Sequence, residues 1–218
     1  MPALRFDRLA DDVRSVVWAS TESEAALAAA LPEAWRARLP RHPARRCETL
    51  GARRALLALA PELADGTLDK DAYGKPYLRG GPPLHFSLSH SHGHAAALVS
   101  GVACGVDLQR RVPKITRLRS KFERPDERAS VERQPSEVDA LHVLWGAKEA
   151  LYKLYGRRGL DWHEDMVVAP FDLTPGGGAF RGEIRKGGEV IHARLAWRWQ
   201  GEWCLVGAWA DGGGGGDR

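Results

Sequence analysis

Short apolar runs separated by turn residues follow one another along the chain, and their spacing predicts a mixed α+β protein. Val13–Ala19 has the pattern of a strand, and the Ala/Leu-rich stretch 21–38 predicts a helix that is kinked at Pro32. Pro43 is typical of a first helical turn, so a second helix is expected over 44–60.

The middle of the chain has the pattern of short strands followed by one long helix. Ser136 with Asp139 three residues later is a capping-box signature, so a helix is predicted from there to Tyr155, with Gly156 as its stop. Strands are expected before this helix and, alternating in the antiparallel manner, after it, at 84–89, 95–100, 104–109, 166–173, 179–185, 190–199 and 203–209.

The order of these elements predicts two α+β halves. Residues 1–103 would form the N-terminal half and 104–211 the C-terminal half. The basic and polar stretch 110–135 is expected to be a connection, and the Gly-rich tail 212–218 is expected to be disordered.

The composition is that of a globular protein with a substantial core. The chain has 218 residues, 44% of them hydrophobic, and its longest apolar runs are far shorter than a membrane span. Acids within the first dozen residues and the lack of an apolar leader predict a cytoplasmic location. Three widely spaced cysteines indicate neither a disulfide framework nor a zinc cluster.

Charge is spread unevenly. Residues 110–124 carry seven basic side chains and one acid, a local charge of +6 in a chain whose net charge is +4. Such a block is typical of a solvated face or of a docking surface for an acidic partner.

Two carboxylates stand out as candidates for chemistry. A strand places Asp107 and Gln109 on one face, although an acid at a strand end is commonly a turn residue or a cap. Glu149 and Lys153 share a helix face, which is also the spacing of a surface ion pair. Gly146, one turn earlier, would let a ligand or another backbone approach the acid.

A histidine-rich segment follows the first of the middle strands. His90, His92 and His94 have the spacing of a zinc site on one strand face, but Gly93 is expected to break the strand there. Ser-His-Ser at a strand end more commonly donates hydrogen bonds to an anion such as phosphate.

Together these groups fit the binding of Mg²⁺ and a polyphosphate, followed by phosphoryl transfer. The inventory is two carboxylates, a lysine one turn from one of them, Ser/His donors, a Gly-Lys-Pro turn, and Arg46 and Arg53 on one side of the second helix. The chain has neither a Walker-type nor a dinucleotide-binding glycine loop, so side chains would hold the phosphates.

Four motifs in order resemble the 4'-phosphopantetheinyl transferases of the larger, single-chain, surfactin-synthetase-activating type. They are Tyr73-Gly-Lys-Pro76, Phe86-Ser-Leu-Ser-His-Ser91, Gly105-Val-Asp107 and Trp145-Gly-Ala-Lys-Glu-Ala-Leu-Tyr-Lys153. The resemblance implies two similar α/β halves related by a pseudo-two-fold, with coenzyme A and Mg²⁺ bound in the cleft between them. The implied activity is of the holo-[acyl-carrier-protein] synthase type: transfer of the phosphopantetheine arm to a carrier-protein serine, releasing adenosine 3',5'-bisphosphate.

The resemblance also implies roles for individual residues. Asp107 and Glu149 would hold Mg²⁺, or Mn²⁺ in its place, Lys153 would contact the diphosphate, and Glu149 is the best candidate base. Ser89 and His90 would contact phosphate. Coenzyme A would be held further by Tyr73, Gly74, Lys75 and Pro76 at its adenine and ribose end, and by Arg46 and Arg53 at its 3'-phosphate.

This chain departs from the family pattern at Gln109, where many members have a third acid. Gln109 would be a weak metal ligand or act through a water. The basic block would dock the acidic helix of a carrier protein through Arg110, Arg111, Lys114, Arg117, Arg119 and Lys121. We expect a monomer that binds neither nucleic acid nor membrane. The alternatives are a relative that binds coenzyme A without catalysis and a nucleic-acid binder that uses its basic face.

Overall fold

The computed structural model describes residues 4–211, with the side chains described from residue 7 onward. The chain divides into two compact units after Gly101. Both units combine helices with antiparallel sheet, which confirms the predicted α+β class, while the pseudo-two-fold between them stays a prediction. The predicted disorder of the tail 212–218 falls outside the described residues.

The first unit is a four-stranded sheet covered by a helix. Its elements are β1 (Leu4–Ala10), β2 (Val13–Ala19), α1 (Glu24–Ala29), α2 (Pro43–Leu59), β3 (Thr67–Lys70), β4 (Pro76–Arg79), β5 (His85–Ser91) and β6 (His94–Ser100). The strand order is β1-β2-β6-β5, every pair is antiparallel, and β3 and β4 form a separate hairpin. Leu50 and Leu56 of α2 are completely buried in the core of this unit.

Two predictions for this unit were incomplete. Strand β1 precedes the predicted first strand, and its alternation with charged residues is typical of a sheet edge. The stretch 21–38 contains only the short helix α1, because Pro32 ends the helical path instead of kinking it. A 3-10 turn at Glu33–Trp35 follows, and the buried Trp35 donates its indole N–H to the carbonyl of Gly66 at 2.8 Å.

The second unit is a five-stranded sheet with one long helix on its face. Its elements are β7 (Cys104–Arg110), a 3-10 helix (Pro113–Lys121), α3 (Pro125–Glu132), α4 (Glu137–Tyr155), β8 (Met166–Val168), β9 (Gly178–Lys186), β10 (Glu189–Gln200) and β11 (Trp203–Ala210). The order β7-β11-β10-β9-β8 is antiparallel throughout. Ser136 caps α4, and Gly156 ends it in the left-handed conformation (φ 72°), as the sequence predicted.

The stretch 110–135 is not the plain connection that we predicted. It contains the 3-10 helix Pro113–Lys121 and the helix α3, and each begins at a proline. A proline is favoured at the first helical position because its missing N–H has no partner there in any case. The same two prolines give the segment the composition of a loop, which explains the error.

Glycine allows α4 to lie close to β7. A Cβ added at Gly105 would stand 1.9 Å from the carbonyl oxygen of Ala150 and 2.7 Å from the amide nitrogen of Leu154. Asp107, two residues further on the same face of the strand, is therefore brought next to the last turns of α4. Gly146 makes room for Val206 of β11 (2.6 Å from an added Cβ), not for a ligand beside Glu149 as we had considered. No helix within residues 4–211 is long and apolar enough to cross a membrane.

Candidate active site

An acid from β7 and a lysine from α4 meet where these two elements touch. Lys153 donates from Nζ to Oδ1 of Asp107 at 3.0 Å and to the carbonyl of Val106 at 2.7 Å. Asp107 is only 7% exposed, and the side chain of Lys153 is 28% exposed. The lysine thus ties the helix to the strand and neutralises part of the charge on a nearly buried carboxylate.

Glu149 belongs to the same cluster. Burial raises the pKa of its carboxyl group, the neighbouring charge of Asp107 raises it further, and Lys153 lowers it in part. Two carboxylates therefore share one ammonium group, an arrangement that favours a further cation. Within residues 4–211 no three His, Cys, Asp or Glu side chains are grouped to hold a metal. The donor set of two carboxylates fits Mg²⁺, which commonly keeps waters and takes its remaining ligands from substrate phosphates.

Gln109 lies on the same strand face as Asp107 but is turned to another partner. Its Nε2 donates to the carbonyl of His142 at 2.8 Å, and its Oε1 lies 2.7 Å from Nδ1 of the same histidine. Burial lowers the pKa of His142, which favours the neutral ring. Both polar atoms of Gln109 are thus engaged within the second unit, so the geometry favours a structural role over that of a weak metal ligand.

Lys148 was missed by the sequence analysis, although it stands next to Glu149. Its Nζ is completely buried and lies 2.6 Å from the carbonyl of Phe122, 2.8 Å from that of Trp162 and 2.8 Å from the carboxylate of Glu127. These three acceptors match the three N–H bonds of an ammonium group. Burial lowers the pKa of Lys148, and Glu127 offsets part of that effect.

Glu127 is held from both sides. Its carboxylate also accepts the backbone N–H groups of Arg124 (2.9 Å) and Val168 (3.0 Å), so the pair with Lys148 joins α3 and β8 to α4. A sequence signal existed for this pair: Lys148 stands four residues after Leu144 and three before Leu151, which is the spacing of the buried helix face.

In the first unit, the start of α2 and the β5–β6 hairpin enclose an open depression of about 620 Å³. It is lined by His42, Ala44, Arg45, Glu48, His90, Ser91 and His92. Nδ1 of His90 lies 3.3 Å from the carboxylate of Glu48. His92 and Gly93 form the turn of the hairpin, so the three histidines do not share the strand face that the zinc alternative required.

The two arginines expected at a phosphate are both engaged within the first unit. Arg46 pairs with Glu24 through two hydrogen bonds of 2.7 and 3.0 Å. Arg53 is 7% exposed and donates from Nη1 to the carbonyls of Trp35 and Ala37. Arg45, which sequence reasoning overlooked, is exposed and lines the depression, and within the described chain no acid forms an ion pair with it. Its signal was the basic run 41–46.

The Tyr-Gly-Lys-Pro motif forms the tip of the β3–β4 hairpin. Oδ1 of Asp71 accepts the backbone N–H groups of Tyr73 and Lys75, both at 2.9 Å, and Gly74 takes a positive φ of 90°. Tyr73 is 51% exposed. The tip is therefore a rigid turn that presents an aromatic ring and a lysine. Ser89, by contrast, is buried in β5.

The basic block divides into paired and unpaired cations. Arg110 pairs with Glu202, Arg111 with Asp139, Arg119 with Glu123, Glu132 and Glu137, and Arg124 with Asp126. Lys114, Arg117 and Lys121 are exposed on the 3-10 helix Pro113–Lys121 and form no ion pair with any described residue. Of the seven cations in the block, three thus form no ion pair with the described residues.

Known proteins that resemble this chain include one family and two bacterial relatives. The family model described as the 4'-phosphopantetheinyl transferase superfamily matches residues 103–204. A 4'-phosphopantetheinyl transferase of Bacillus subtilis is 29% identical over 87 residues, which is 39% of this chain. The 4'-phosphopantetheinyl transferase psf-1 of Bacillus pumilus is 32% identical over 91 residues, or 41% of this chain.

Each of these matches spans 39% of the relative's own length. The resemblance drawn from the motifs is nevertheless confirmed by the family model, whose range contains the strand and the helix of the acidic cluster. Residues 103–204, which carry Asp107, Glu149 and Lys153, are thus similar to the 4'-phosphopantetheinyl transferase superfamily.

Proposed function

We propose that this protein transfers the 4'-phosphopantetheine arm of coenzyme A to a serine of an apo acyl or peptidyl carrier protein and releases adenosine 3',5'-bisphosphate. The observation that supports this most is the cluster of Asp107, Glu149 and Lys153, which lies inside the segment that matches the family. Cytoplasmic location and a monomeric state stay predictions.

Asp107 and Glu149 would hold a divalent cation, Mg²⁺ or Mn²⁺. Burial raises the pKa of Glu149, and repulsion by Asp107 raises it further; this repulsion supports the metal site because a bound cation would relieve it. A cation at this position supplies charge neutralisation on the diphosphate of coenzyme A.

The side chains of the cluster would then perform the transfer. The serine oxygen forms a bond to the β-phosphorus of coenzyme A, and the bond from this phosphorus to the bridging oxygen breaks. Adenosine 3',5'-bisphosphate leaves with the electron pair, while Lys153 stabilises negative charge on the diphosphate. Glu149, directly or through a water, would accept the proton of the serine.

The first unit would hold the nucleotide end of coenzyme A. His90 and Arg45 line the open depression and would contact phosphate, and Tyr73–Pro76 would contact the adenine and ribose. Of the basic residues at the start of α2, Arg45 is the better candidate for the 3'-phosphate, because Arg46 and Arg53 already have partners inside the unit.

The acidic helix of the carrier would dock on Lys114, Arg117 and Lys121. This proposal narrows the predicted docking set from six cations to three, since Arg110, Arg111 and Arg119 are paired with acids of the same unit. Exposed cations on one short helix match the negative surface that a carrier presents beside its serine.

Incubation of the protein with coenzyme A, Mg²⁺ and an apo carrier, followed by mass spectrometry of the carrier, tests the function. We expect a gain of one phosphopantetheine arm, lost when Asp107→Ala or Glu149→Ala replaces the wild-type protein. No gain with fatty-acid, polyketide and nonribosomal-peptide carriers would refute the transferase, and binding of coenzyme A in that case would support the non-catalytic alternative.

A further inference from the structure

The side chain of Gln109 makes a two-point contact with a single residue of α4. Its Oε1 lies 2.7 Å from Nδ1 of His142, and its Nε2 donates to the carbonyl of His142 at 2.8 Å. His142 is 1% exposed, so solvent does not compete for these bonds. The end of β7 is thereby fixed to the first half of α4.

The other ring nitrogen of His142 extends the contact to a third segment. Nε2 accepts the backbone N–H of Val112 at 2.9 Å. A neutral imidazole has one donor and one acceptor nitrogen, so Nδ1 carries the hydrogen and donates it to Gln109. Val112 is the residue directly before the 3-10 helix Pro113–Lys121, and its carbonyl accepts from Ile115 inside that helix.

A second anchor lies beside the first. Arg111 donates to Asp139 at 2.7 Å, and its guanidinium lies 4.5 Å from the ring centre of Trp199, which in turn meets the edge of His142 at 6.0 Å. Residues 109–112 connect Asp107 to the exposed cations of the 3-10 helix, and three of them, Gln109, Arg111 and Val112, are thus held against α4. The direction in which that helix leaves the sheet depends on these contacts.

We propose that Gln109 and His142 form a positioning pair that holds the 3-10 helix Pro113–Lys121 in a fixed orientation relative to Asp107 and Glu149, and that they thereby set the affinity for the carrier protein. The inference rests on the proposed transferase function and deepens it. Neither residue touches the reacting atoms. Gln109 would then serve the docking of the protein substrate instead of ligating the metal.

Three variants separate positioning from metal ligation: Gln109→Leu, His142→Phe and the combination of both. If the pair positions the helix, each single variant raises the KM for the carrier about tenfold, while the KM for coenzyme A and the half-saturating Mg²⁺ concentration stay within about twofold. The KM of the double variant for the carrier is then no higher than that of the more impaired single variant, because each change breaks the same contact. Gln109→Glu keeps the acceptor for Nδ1 and is expected to retain part of the carrier affinity.

A binding measurement makes the test independent of turnover. The Kd of a carrier whose acceptor serine is replaced by alanine is measured by calorimetry for each variant, and an increase parallel to the KM is expected. A rise in half-saturating Mg²⁺ for Gln109→Leu that His142→Phe does not share would overturn the proposal in favour of metal ligation. If His142→Phe does not fold, the Gln109 variants decide alone. If the wild type does not transfer the phosphopantetheine arm, the proposed function fails. The Kd of the carrier, measured for each variant, still tests whether Gln109 and His142 set the carrier affinity.

Discussion

Lys148 and Glu149 are neighbours on α4 with opposite surroundings. The ammonium group of Lys148 is completely buried and meets two carbonyls and the carboxylate of Glu127, which itself accepts two backbone N–H groups. Burial and the charge of Asp107 raise the pKa of Glu149, and Lys153, which pairs with Asp107, lowers it in part. The charge of Lys148 is satisfied inside the second unit and serves the fold, whereas Asp107 and Glu149 are two carboxylates that repel each other.

The same difference recurs among the arginines. Arg119 is surrounded by three glutamates, while Arg117, two residues away, is exposed and forms no ion pair with the described residues. Arg46 pairs with Glu24, while the adjacent Arg45 lines the depression of the first unit. In each case one of two nearby arginines has no ion pair among the described residues, and it is this arginine that we propose to meet a substrate.

The largest effect on stability is expected when the buried pair of Lys148 and Glu127 is broken. Lys148→Met leaves the buried carboxylate of Glu127 without its cation and is expected to lower the free energy of unfolding by about 3–5 kcal/mol. Urea denaturation measures it. Lys186→Met breaks a pair between an exposed lysine and the partly buried Asp165, and as the matched control it is expected to lower the free energy of unfolding much less. An equal loss of unfolding free energy in the two variants would contradict the structural role of the buried pair.

The second effect is expected on the catalytic rate, when a carboxylate of the cluster of Asp107, Glu149 and Lys153 is replaced. Asp107→Asn and Glu149→Gln keep the shape of each side chain and are expected to reduce kcat by about 10²–10³-fold, as the loss of an electrostatic transition-state contact does. The unfolding transition should stay near that of the wild type. Glu189→Gln, an exposed glutamate at the start of β10, is the control with unchanged kcat. If Asp107→Asn or Glu149→Gln has the kcat of the wild type, the replaced residue does not have the catalytic role that we propose for it.

A third prediction concerns the docking helix. Arg117→Glu is expected to raise the KM for the carrier about tenfold and to leave the KM for coenzyme A unchanged, with an effect that weakens as salt is added. Arg119→Glu should instead destabilise the protein, because it places an acid among three glutamates. Steady-state kinetics and thermal unfolding together separate the two outcomes. Unchanged carrier kinetics in Arg117→Glu would exclude docking there.

The smallest effect is expected at the start of α2. Arg45→Ala should raise the KM for coenzyme A several-fold, since an exposed charge–phosphate contact is worth about 1 kcal/mol. Arg46→Ala should act mainly on stability through the lost pair with Glu24. Dephospho-coenzyme A, which lacks the 3'-phosphate, should show no difference between Arg45→Ala and wild type. A larger KM effect at Arg46 than at Arg45 would restore the original assignment.

Strong local signals explain what the sequence predicted well. The serine cap and glycine stop of α4 act within a few residues, and the alternation of β7 places Asp107 and Gln109 on one face without help from the rest of the chain. Such features can be predicted from the sequence because the residues that cause them lie in the same segment as the helix end or strand face that they determine.

What the sequence did not predict depends on partners far along the chain. Gln109 and His142 are 33 residues apart, and the acceptors of Lys148 come from residues 14 to 26 positions away. The pairing of each arginine in the basic block likewise depends on acids of other elements. The charge of +6 follows from composition, but only the fold shows which cations of the block pair with acids among the described residues.

Binding of Mn²⁺ in the presence of coenzyme A tests the central claim most directly, because free Mn²⁺ gives an electron paramagnetic resonance signal that falls as the ion binds. We expect that the wild-type protein and Glu189→Gln reduce this signal, and that Asp107→Asn and Glu149→Gln leave it close to that of Mn²⁺ with coenzyme A alone. Equal Mn²⁺ binding by Glu149→Gln and the wild type would contradict the assignment of Asp107 and Glu149 as the metal site.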